Sequence, residues 1–289
     1  MFLVSHSEAR LNYRHAFHAG NFADLVKHAA LLALLARLQA GAGALSVIDT
    51  HAGRGLYDLA GPEARKSGEA EAGILRMMGA AEAPDDFAPL TAAVRALNGQ
   101  GPVRRYPGSP WLIAQALRPG DRYLACELRP DEHAALRALL KDRAGVHTLC
   151  ADGFEAAVRE VPAKGAALVL IDPPFERADD YGRIVETLAA ASRRNPGAVA
   201  LVWLPLKDLE TFDAFLRDLE DEDLGPLLVG EARMRPLGDP LKMNGCALVV
   251  LRAPPGLAQP LAAICGWTVR TLGEDGKARV YELDGPPQV

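Results

Sequence analysis

The tetrapeptide Asp172-Pro173-Pro174-Phe175 follows an apolar run and is the most informative chemical group in the sequence. Two successive prolines fix the backbone as a rigid, extended corner that lacks two amide donors. The Asp172 carboxylate and the Pro173 carbonyl can then accept hydrogens from one exocyclic NH2 group, while the Phe175 ring stacks on the flat group that carries it. The alternative is a loop that proline merely stiffens, which its position after a predicted strand disfavours. We therefore interpret Asp172, Pro173 and Phe175 as catalytic residues.

Acidic side chains also stand at the ends of three earlier predicted strands, at Asp49, Glu127 and Asp152. In an open parallel sheet, ligands bind beyond the carboxyl ends of the strands, and an acid at the second strand meets the hydroxyls of a ribose. Three such acids suit a nucleoside cofactor without phosphates, because carboxylates would repel a pyrophosphate. Asp152 has a second interpretation, as the N-cap of the helix that follows it.

The loop after the first predicted strand contains two glycines, Gly53 and Gly55, separated by one residue. This spacing allows a tight turn and a close approach of the backbone to a ligand, so we place Gly53 at the cofactor. An ordinary glycine-rich connection is the alternative. The loop lacks the third glycine and the immediate helix of the dinucleotide fingerprint, which disfavours a nicotinamide-dependent oxidoreductase.

A basic segment with interleaved aromatic residues lies near the N-terminus. Its members are Arg10, Arg14, His15, His18 and Lys27, with Tyr13, Phe17 and Phe22 between them. This composition suits phosphate contact and base stacking, and the alternative is a solvated face. Arg104 and Arg105 form a second basic spot. No cysteine or carboxylate is spaced to complete a zinc site with the two histidines, so no metal is expected.

Four segments together carry a resemblance to a known family. Asp172–Phe175 is similar to the catalytic motif of S-adenosylmethionine-dependent amino-group methyltransferases, whose targets include adenine N6, guanine N2 and the glutamine side-chain amide. Asn12–His28, Asp49–Gly53 and Tyr106–Pro110 closely resemble the RlmJ family of 23S ribosomal RNA adenine-N6 methyltransferases. The resemblance extends from about Leu11 to Pro255.

The resemblance implies S-adenosylmethionine as cofactor and 23S ribosomal RNA, protein-free or early in assembly, as partner. It implies that Asp172 acts on the target amine and that Tyr13 meets the RNA, and we add Arg14, His15 and Lys27 as RNA contacts. The cofactor contacts that it implies are His28, His51, Ser109, Glu127, Asp152 and Gly153. Asp49, Gly53 and Asp172 join them by position, whereas the two histidines could equally serve in packing.

The chain departs from the family pattern in two places. About nine extra residues precede Leu11, and Phe175 stands where the family can have tyrosine, which keeps the stacking surface and removes a hydroxyl. Two other functions stay open. A DNA adenine-N6 methyltransferase is disfavoured because residues 61–107 are few for a recognition domain. A non-catalytic nucleic-acid-binding protein is disfavoured by the intact corner at Asp172.

The elements that must position these residues follow an alternation of short apolar runs and helical patterns, which predicts an α/β, Rossmann-like class I methyltransferase fold. We expect a seven-stranded, mostly parallel sheet. The predicted strands are Leu45–Asp49, Arg122–Cys126, Val146–Cys150, Ala167–Ile171, Ala198–Trp203, about Leu228–Met234 and Gly245–Arg252. Residues 61–107 show no convincing strand and form an inserted helical subdomain, so the core comprises residues 1–60 and 108–289. Ser109 is expected to cap the next helix, with Pro110 at its first position.

The composition bounds the class of protein. The 289 residues are 49% hydrophobic and 24% charged, which excludes a disordered chain. A formal net charge of −5 argues against a generally basic surface but allows a local one. No stretch reaches the roughly 20 apolar residues of a membrane helix, so we expect a soluble, cytoplasmic monomer. The four dispersed cysteines indicate no disulfide framework, and we expect all of them to be buried.

Overall fold

The computed structural model describes residues 14–41, 43–80, 82–239 and 242–283. The strands are β1 (Leu45–Asp49), β2 (Leu56–Asp58), β3 (Arg105–Pro107), β4 (Arg122–Cys126), β5 (Val146–Leu149), β6 (Ala166–Ile171), β7 (Val199–Leu206), β8 (Leu227–Arg233), β9 (Gly245–Leu251) and β10 (Lys277–Leu283). The helices are α1 (Phe22–Leu38), α2 (Pro62–Ser67), α3 (Arg76–Gly79), α4 (Ala88–Asn98), α5 (Ser109–Ala116), α6 (Pro130–Leu140), α7 (Gly153–Glu160), α8 (Asp180–Arg194), α9 (Leu209–Asp221) and α10 (Ala258–Leu272). Two 3-10 turns, His15–Phe17 and Asp85–Phe87, and a π-helical turn, Glu71–Leu75, complete the set.

The central sheet has the strand order β10-β8-β9-β7-β6-β1-β4-β5. The five strands from β7 to β5 are parallel to one another, while β9 runs antiparallel to β7 and β8, and β10 runs antiparallel to β8. From β1 the chain builds outward to β4 and β5 and then returns to β6 on the other side. The crevice where the order reverses is the expected ligand site of such a sheet.

Both faces of the sheet are covered, which explains why the central strands are nearly all apolar. Successive residues of β1 point to opposite sides: Val47 belongs to one buried apolar cluster and Ile48 to the other. Helices α1, α5, α6 and α10 contribute to the first cluster, and α7, α8 and α9 contribute to the second. This arrangement confirms the predicted α/β class.

The predicted number of strands is wrong by one, because the described part of the chain has an eighth strand in the main sheet, β10. This edge strand is mostly exposed and has no buried apolar run, so the sequence gives little signal for it. The region 61–107 also ends in a strand, since Arg105–Pro107 pairs with Leu56–Asp58. These three-residue strands are too short to show a period.

Residues 61–107 pack directly on the main body. Phe87, Leu90 and Val94 belong to the same apolar cluster as α1, and the Trp267 indole of α10 donates to the Glu82 carbonyl at 2.7 Å. Their description as an inserted subdomain stays a prediction.

Cys150 is exposed at the end of β5, which corrects the expectation of four buried cysteines. No helix among the described residues is both long and apolar enough to cross a membrane.

Candidate active site

Two cavities open at the carboxyl edge of the parallel strands and share a wall. Lys27, Asp172, Pro173 and Pro174 line both of them. The first cavity lies over the ends of β1, β4 and β6 and holds about 1060 Å³ of atom-free space, including its open mouth. The second adjoins it at the Pro-Pro corner and extends to Phe175, Trp203 and Met243. Two ligands can therefore reach Asp172 from adjoining cavities.

Most residues predicted at the cofactor lie together in the first cavity. Its lining includes His28, His51, Gly53, Ser109, Glu127, Asp152, Gly153 and Asp172. They come from α1, from the loop after β1, from the start of α5 and from the ends of β4, β5 and β6. The structure thus assembles at one site residues that are far apart in the chain.

Asp49 is the exception, since it is not part of the lining, and its contact with the cofactor stays a prediction. Its carboxylate is fully buried and accepts hydrogen bonds from the Ser109 hydroxyl at 2.7 Å and the Tyr123 hydroxyl at 3.1 Å. The amide of His51 also donates to it at 3.3 Å. Burial raises the pKa of Asp49 to about 6, although Ser109 and Tyr123 oppose that rise. Asp49 therefore anchors the cavity wall from behind.

Ser109 has a different local role from the predicted one. Helix α5 begins at Ser109 and Gly108 is its N-cap, so the serine hydroxyl makes no cap and is free to donate to Asp49. Pro110 occupies the first turn as expected.

The Glu127 carboxylate is fixed by the backbone. One oxygen accepts from the Gly53 amide at 2.9 Å and the other from the Arg129 amide at 2.7 Å. Burial raises the pKa of this carboxyl, while the two amides work against the rise. A carboxylate offers about four acceptor positions, so Glu127 can still accept hydrogen bonds from hydroxyls in the cavity.

Asp152 is the N-cap of α7 and also lines the first cavity, where its contact with the cofactor stays a prediction. One oxygen caps α7 by accepting from the Phe154 amide at 3.0 Å, and the other accepts from Arg183 at 2.8 Å. Burial would raise the pKa of Asp152, but Arg183 lowers it below its usual value. Gly153 lets this helix approach β1 closely, because a Cβ there would lie 1.8 Å from the Thr50 carbonyl oxygen.

His28 and His51 both line the first cavity and pack against neighbouring side chains. His28 Nδ1 lies 2.8 Å from the Tyr106 hydroxyl, its Nε2 has no hydrogen-bond partner among the described residues, and burial lowers its pKa to about 3. The Thr50 hydroxyl donates to the Leu170 carbonyl, so His51 Nδ1, 2.7 Å away, must be the donor to Thr50. Burial lowers the pKa of His51 to about 4. Both imidazoles are therefore neutral near pH 7.

Lys27 lies at the wall between the cavities. Its ammonium forms an ion pair with Asp172 Oδ2 and a second one, 3.2 Å long, with Asp24 Oδ1. Only 5% of Lys27 is exposed, and its contact with RNA stays a prediction. Burial would lower its pKa, but the two carboxylates outweigh that effect and raise it.

The second cavity is walled by Phe175, Trp203 and Met243 beside Asp172. Phe175 has a positive φ of 50°, an uncommon conformation for a bulky residue, and its ring centroid lies 5.9 Å from that of Trp203. Sequence reasoning missed both Trp203 and Met243. The position of Trp203 near the carboxyl end of a predicted strand was a usable signal, whereas nothing marked Met243.

The other predicted RNA contacts have different outcomes. Arg14 and His15 line the first cavity, and His15 Nε2 lies 3.0 Å from Asp24 Oδ2. Tyr13 lies outside the described residues. Across the described ranges, no three or more His, Cys, Asp or Glu side chains are grouped to hold a metal ion.

Comparisons with known proteins agree with this geometry. Residues 42–282 match the model of a family described as "Ribosomal RNA large subunit methyltransferase D, RlmJ". A protein of Haemophilus influenzae named ribosomal RNA large subunit methyltransferase J is 33% identical over 268 residues, which are 92% of this chain and 95% of that protein. The Escherichia coli protein of the same name is 30% identical over 258 residues, or 89% and 92% of the two chains. The crystal structure of protein LPL1258 from Legionella pneumophila superposes with a TM-score of 0.83 at 27% identity, covering 93% of this chain and 99% of that one.

Proposed function

Because this chain belongs to the RlmJ family of ribosomal RNA large subunit methyltransferases, we propose that it methylates N6 of an adenine in 23S ribosomal RNA, with S-adenosylmethionine as donor. One observation carries this proposal: two cavities meet at the Asp172-Pro173 corner. The first is walled by strand-end acids and the second by aromatic side chains. A donor and a flat acceptor can thus face each other across Asp172.

The residues of the first cavity fit S-adenosylmethionine. Glu132 and Asp152 are paired with arginines, whereas the described hydrogen bonds of Glu127 come from backbone amides alone. Glu127 would hold the ribose hydroxyls, and Asp152 with the start of α7 would hold the base. When bound, S-adenosylmethionine supplies a methyl group on a positively charged sulfonium. Glu127, which has no arginine partner among its described hydrogen bonds, suits that charge.

Asp172 holds the acceptor amine. Lys27 engages Oδ2, and no described contact engages Oδ1, so this oxygen and the Pro173 carbonyl are available to the two N6 hydrogens. The N6 lone pair of adenine is delocalised into the ring, and hydrogen bonding at both hydrogens favours the geometry in which it points at the donor. Positioning and a prearranged electrostatic environment then supply most of the rate enhancement. The N6 proton leaves to Asp172 or to solvent.

Phe175 and Trp203 hold the adenine ring in the second cavity. Stacking on an aromatic side chain contributes roughly 1–3 kcal/mol per base. This offsets part of the few kcal/mol that extrusion of a nucleotide from its stack costs. We propose that the substrate is protein-free or early in assembly, because the nucleotide must be free to reach Asp172, and that the enzyme acts as a monomer. A cytoplasmic location is part of the proposal because ribosomal RNA is its substrate.

The test is methyl transfer from labelled S-adenosylmethionine to protein-free 23S ribosomal RNA. Asp172→Ala removes the acceptor of the amine hydrogens and is expected to lower kcat by at least about 100-fold. A cooperative thermal unfolding transition of the variant shows that it is folded. Undiminished transfer by Asp172→Ala would refute the assigned role.

A further inference from the structure

Asp24 is a buried carboxylate in the first turn of α1, with 2% of the residue exposed. Its Oδ2 accepts from the Gly20 amide at 2.9 Å and lies 3.0 Å from His15 Nε2. Its Oδ1 lies 3.2 Å from the Lys27 ammonium. The Asn21 side chain accepts from the Asp24 amide at 2.9 Å, which fixes the start of the helix. Asp24 therefore connects the segment before α1 to the charged group beside Asp172.

Lys27 lies between two carboxylates and shares its donors between them. Burial would raise the pKa of Asp24, but His15, Lys27 and His28 lower it well below its usual value, so Asp24 is ionised at neutral pH. Two carboxylates share one ammonium, so Lys27 does not fully neutralise Asp172. Without Asp24, the ammonium would pair with Asp172 alone.

The charge that Asp172 presents matters because the acceptor amine changes charge during transfer. The N6 lone pair forms the bond to the methyl carbon, and the electron pair of the broken carbon–sulfur bond stays on sulfur. The amine is positively charged until it loses its proton. A prearranged negative charge at that position stabilises the transition state more than the neutral reactant.

We propose that Asp24 is a positioning residue for methyl transfer: it divides the Lys27 ammonium between two carboxylates and so preserves the negative charge that Asp172 presents to the amine. This role rests on the proposed function and deepens it. Asp24 is at the wall of the second cavity but only 2% of it is exposed, and we place its effect on the amine through Lys27. Its removal is expected to lower kcat rather than weaken substrate binding.

The first test is Asp24→Asn, which keeps the side-chain size and an oxygen for the Gly20 amide but removes the charge. We expect kcat to fall by about 10-fold while KM for the RNA stays within about twofold. Asp24→Glu restores the charge, and its kcat is expected to exceed that of Asp24→Asn. An unchanged kcat in Asp24→Asn, or a lower kcat in Asp24→Glu, would overturn the proposal.

A matched control is Asp121→Asn at the opposite edge of the sheet. Asp121 is also buried, with 3% exposed, and accepts from the Leu45 amide and from Arg118. Its replacement is expected to lower the unfolding temperature without lowering kcat. An equal loss of kcat in both variants would show that burial of any carboxylate suffices, against a role for Asp24.

The second test is a double-mutant cycle of Asp24→Asn with Lys27→Met. If Asp24 acts through Lys27, Asp24→Asn changes kcat by less than about twofold once Lys27 is replaced, whereas independent roles make the two losses multiply. The same cycle in the unfolding free energy of the cofactor-free protein is expected to show coupling. Additivity in both readouts would overturn the proposal. Absence of methyl transfer by the wild-type protein would instead refute the proposed function.

Discussion

At the scale of single residues, the site depends on buried charges whose partners are remote in sequence. Lys27 pairs with Asp172 across 145 positions of the chain. A lysine among aromatic residues near a terminus is ordinarily a surface cation, so sequence alone predicted an RNA contact. Asp172 itself was predictable, because two prolines dictate the local backbone whatever surrounds it. The burial of the Asp49 carboxylate was not predictable, since a position at a strand end does not determine which way a carboxylate faces.

His28 predicts a dependence of stability on pH. Burial lowers its pKa from 6.5 to about 3, so in this interval the unfolded chain binds a proton that the folded chain does not. Acidification through that window therefore favours unfolding. Between pH 7 and pH 5, the unfolding free energy of the wild type is expected to fall by about 2 kcal/mol more than that of His28→Gln.

Urea titrations at the two pH values measure this difference. His147→Gln is the matched control, because His147 is exposed on β5 and its replacement should leave the wild-type pH dependence intact. If the unfolding free energies of wild type and His28→Gln fell equally between pH 7 and pH 5, a neutral, buried His28 would be contradicted.

At the scale of elements, apolar runs between helical patterns were sufficient to predict seven strands of the main sheet. They fail for β10 and for the pair β2 and β3, whose residues are exposed or too few to show a period. These elements form because neighbouring strands supply hydrogen-bond partners, a property of the assembled sheet. The π-helical turn Glu71–Leu75 likewise had no signal, although it docks the region 61–107 against the start of α1.

Gly73 tests that docking. A Cβ at Gly73 would lie 2.1 Å from the Gly20 carbonyl oxygen and 2.9 Å from the Asn21 backbone, so neither partner can move cheaply. Gly73→Ala is expected to destabilise the protein by about 1–3 kcal/mol. Displacement of Gly20 and Asn21 is also expected to lower methyl transfer, because these two residues lead into α1, which bears Asp24 and Lys27.

Gly79→Ala provides the control for this substitution. Gly79 ends α3, and a Cβ there would meet no atom within 4 Å. Thermal unfolding should therefore show little change or a slight gain for Gly79→Ala. Equal unfolding temperatures for the two variants would contradict the close packing at Gly73.

At the scale of the whole molecule, the net charge of −5 conceals an uneven distribution of charge. Acids and basic side chains alternate and pair at the walls of the two cavities, while Arg104 and Arg105 are exposed on and next to β3. The same segment continues into Gly108 and Ser109, which line the first cavity. A net charge averages over such a distribution and is a poor guide to the partner.

The basic spot at Arg104 and Arg105 predicts a salt-dependent contribution to RNA binding. Replacing both by glutamine is expected to weaken RNA binding and to reduce the slope of log affinity against log salt by about 1 to 2. The paired control replaces Arg122 and Arg143, which are exposed at the amino edge of the sheet. Equal slopes for both double variants would place the RNA elsewhere.

The central claim is that this chain methylates adenine N6 in ribosomal RNA. The most direct measurement is incubation with labelled S-adenosylmethionine and protein-free 23S ribosomal RNA, with duplex DNA in parallel, followed by nuclease digestion and mass mapping of the product. We expect N6-methyladenosine at a single RNA position and no label in DNA. Methylguanosine in the RNA, or label confined to the DNA, would contradict it.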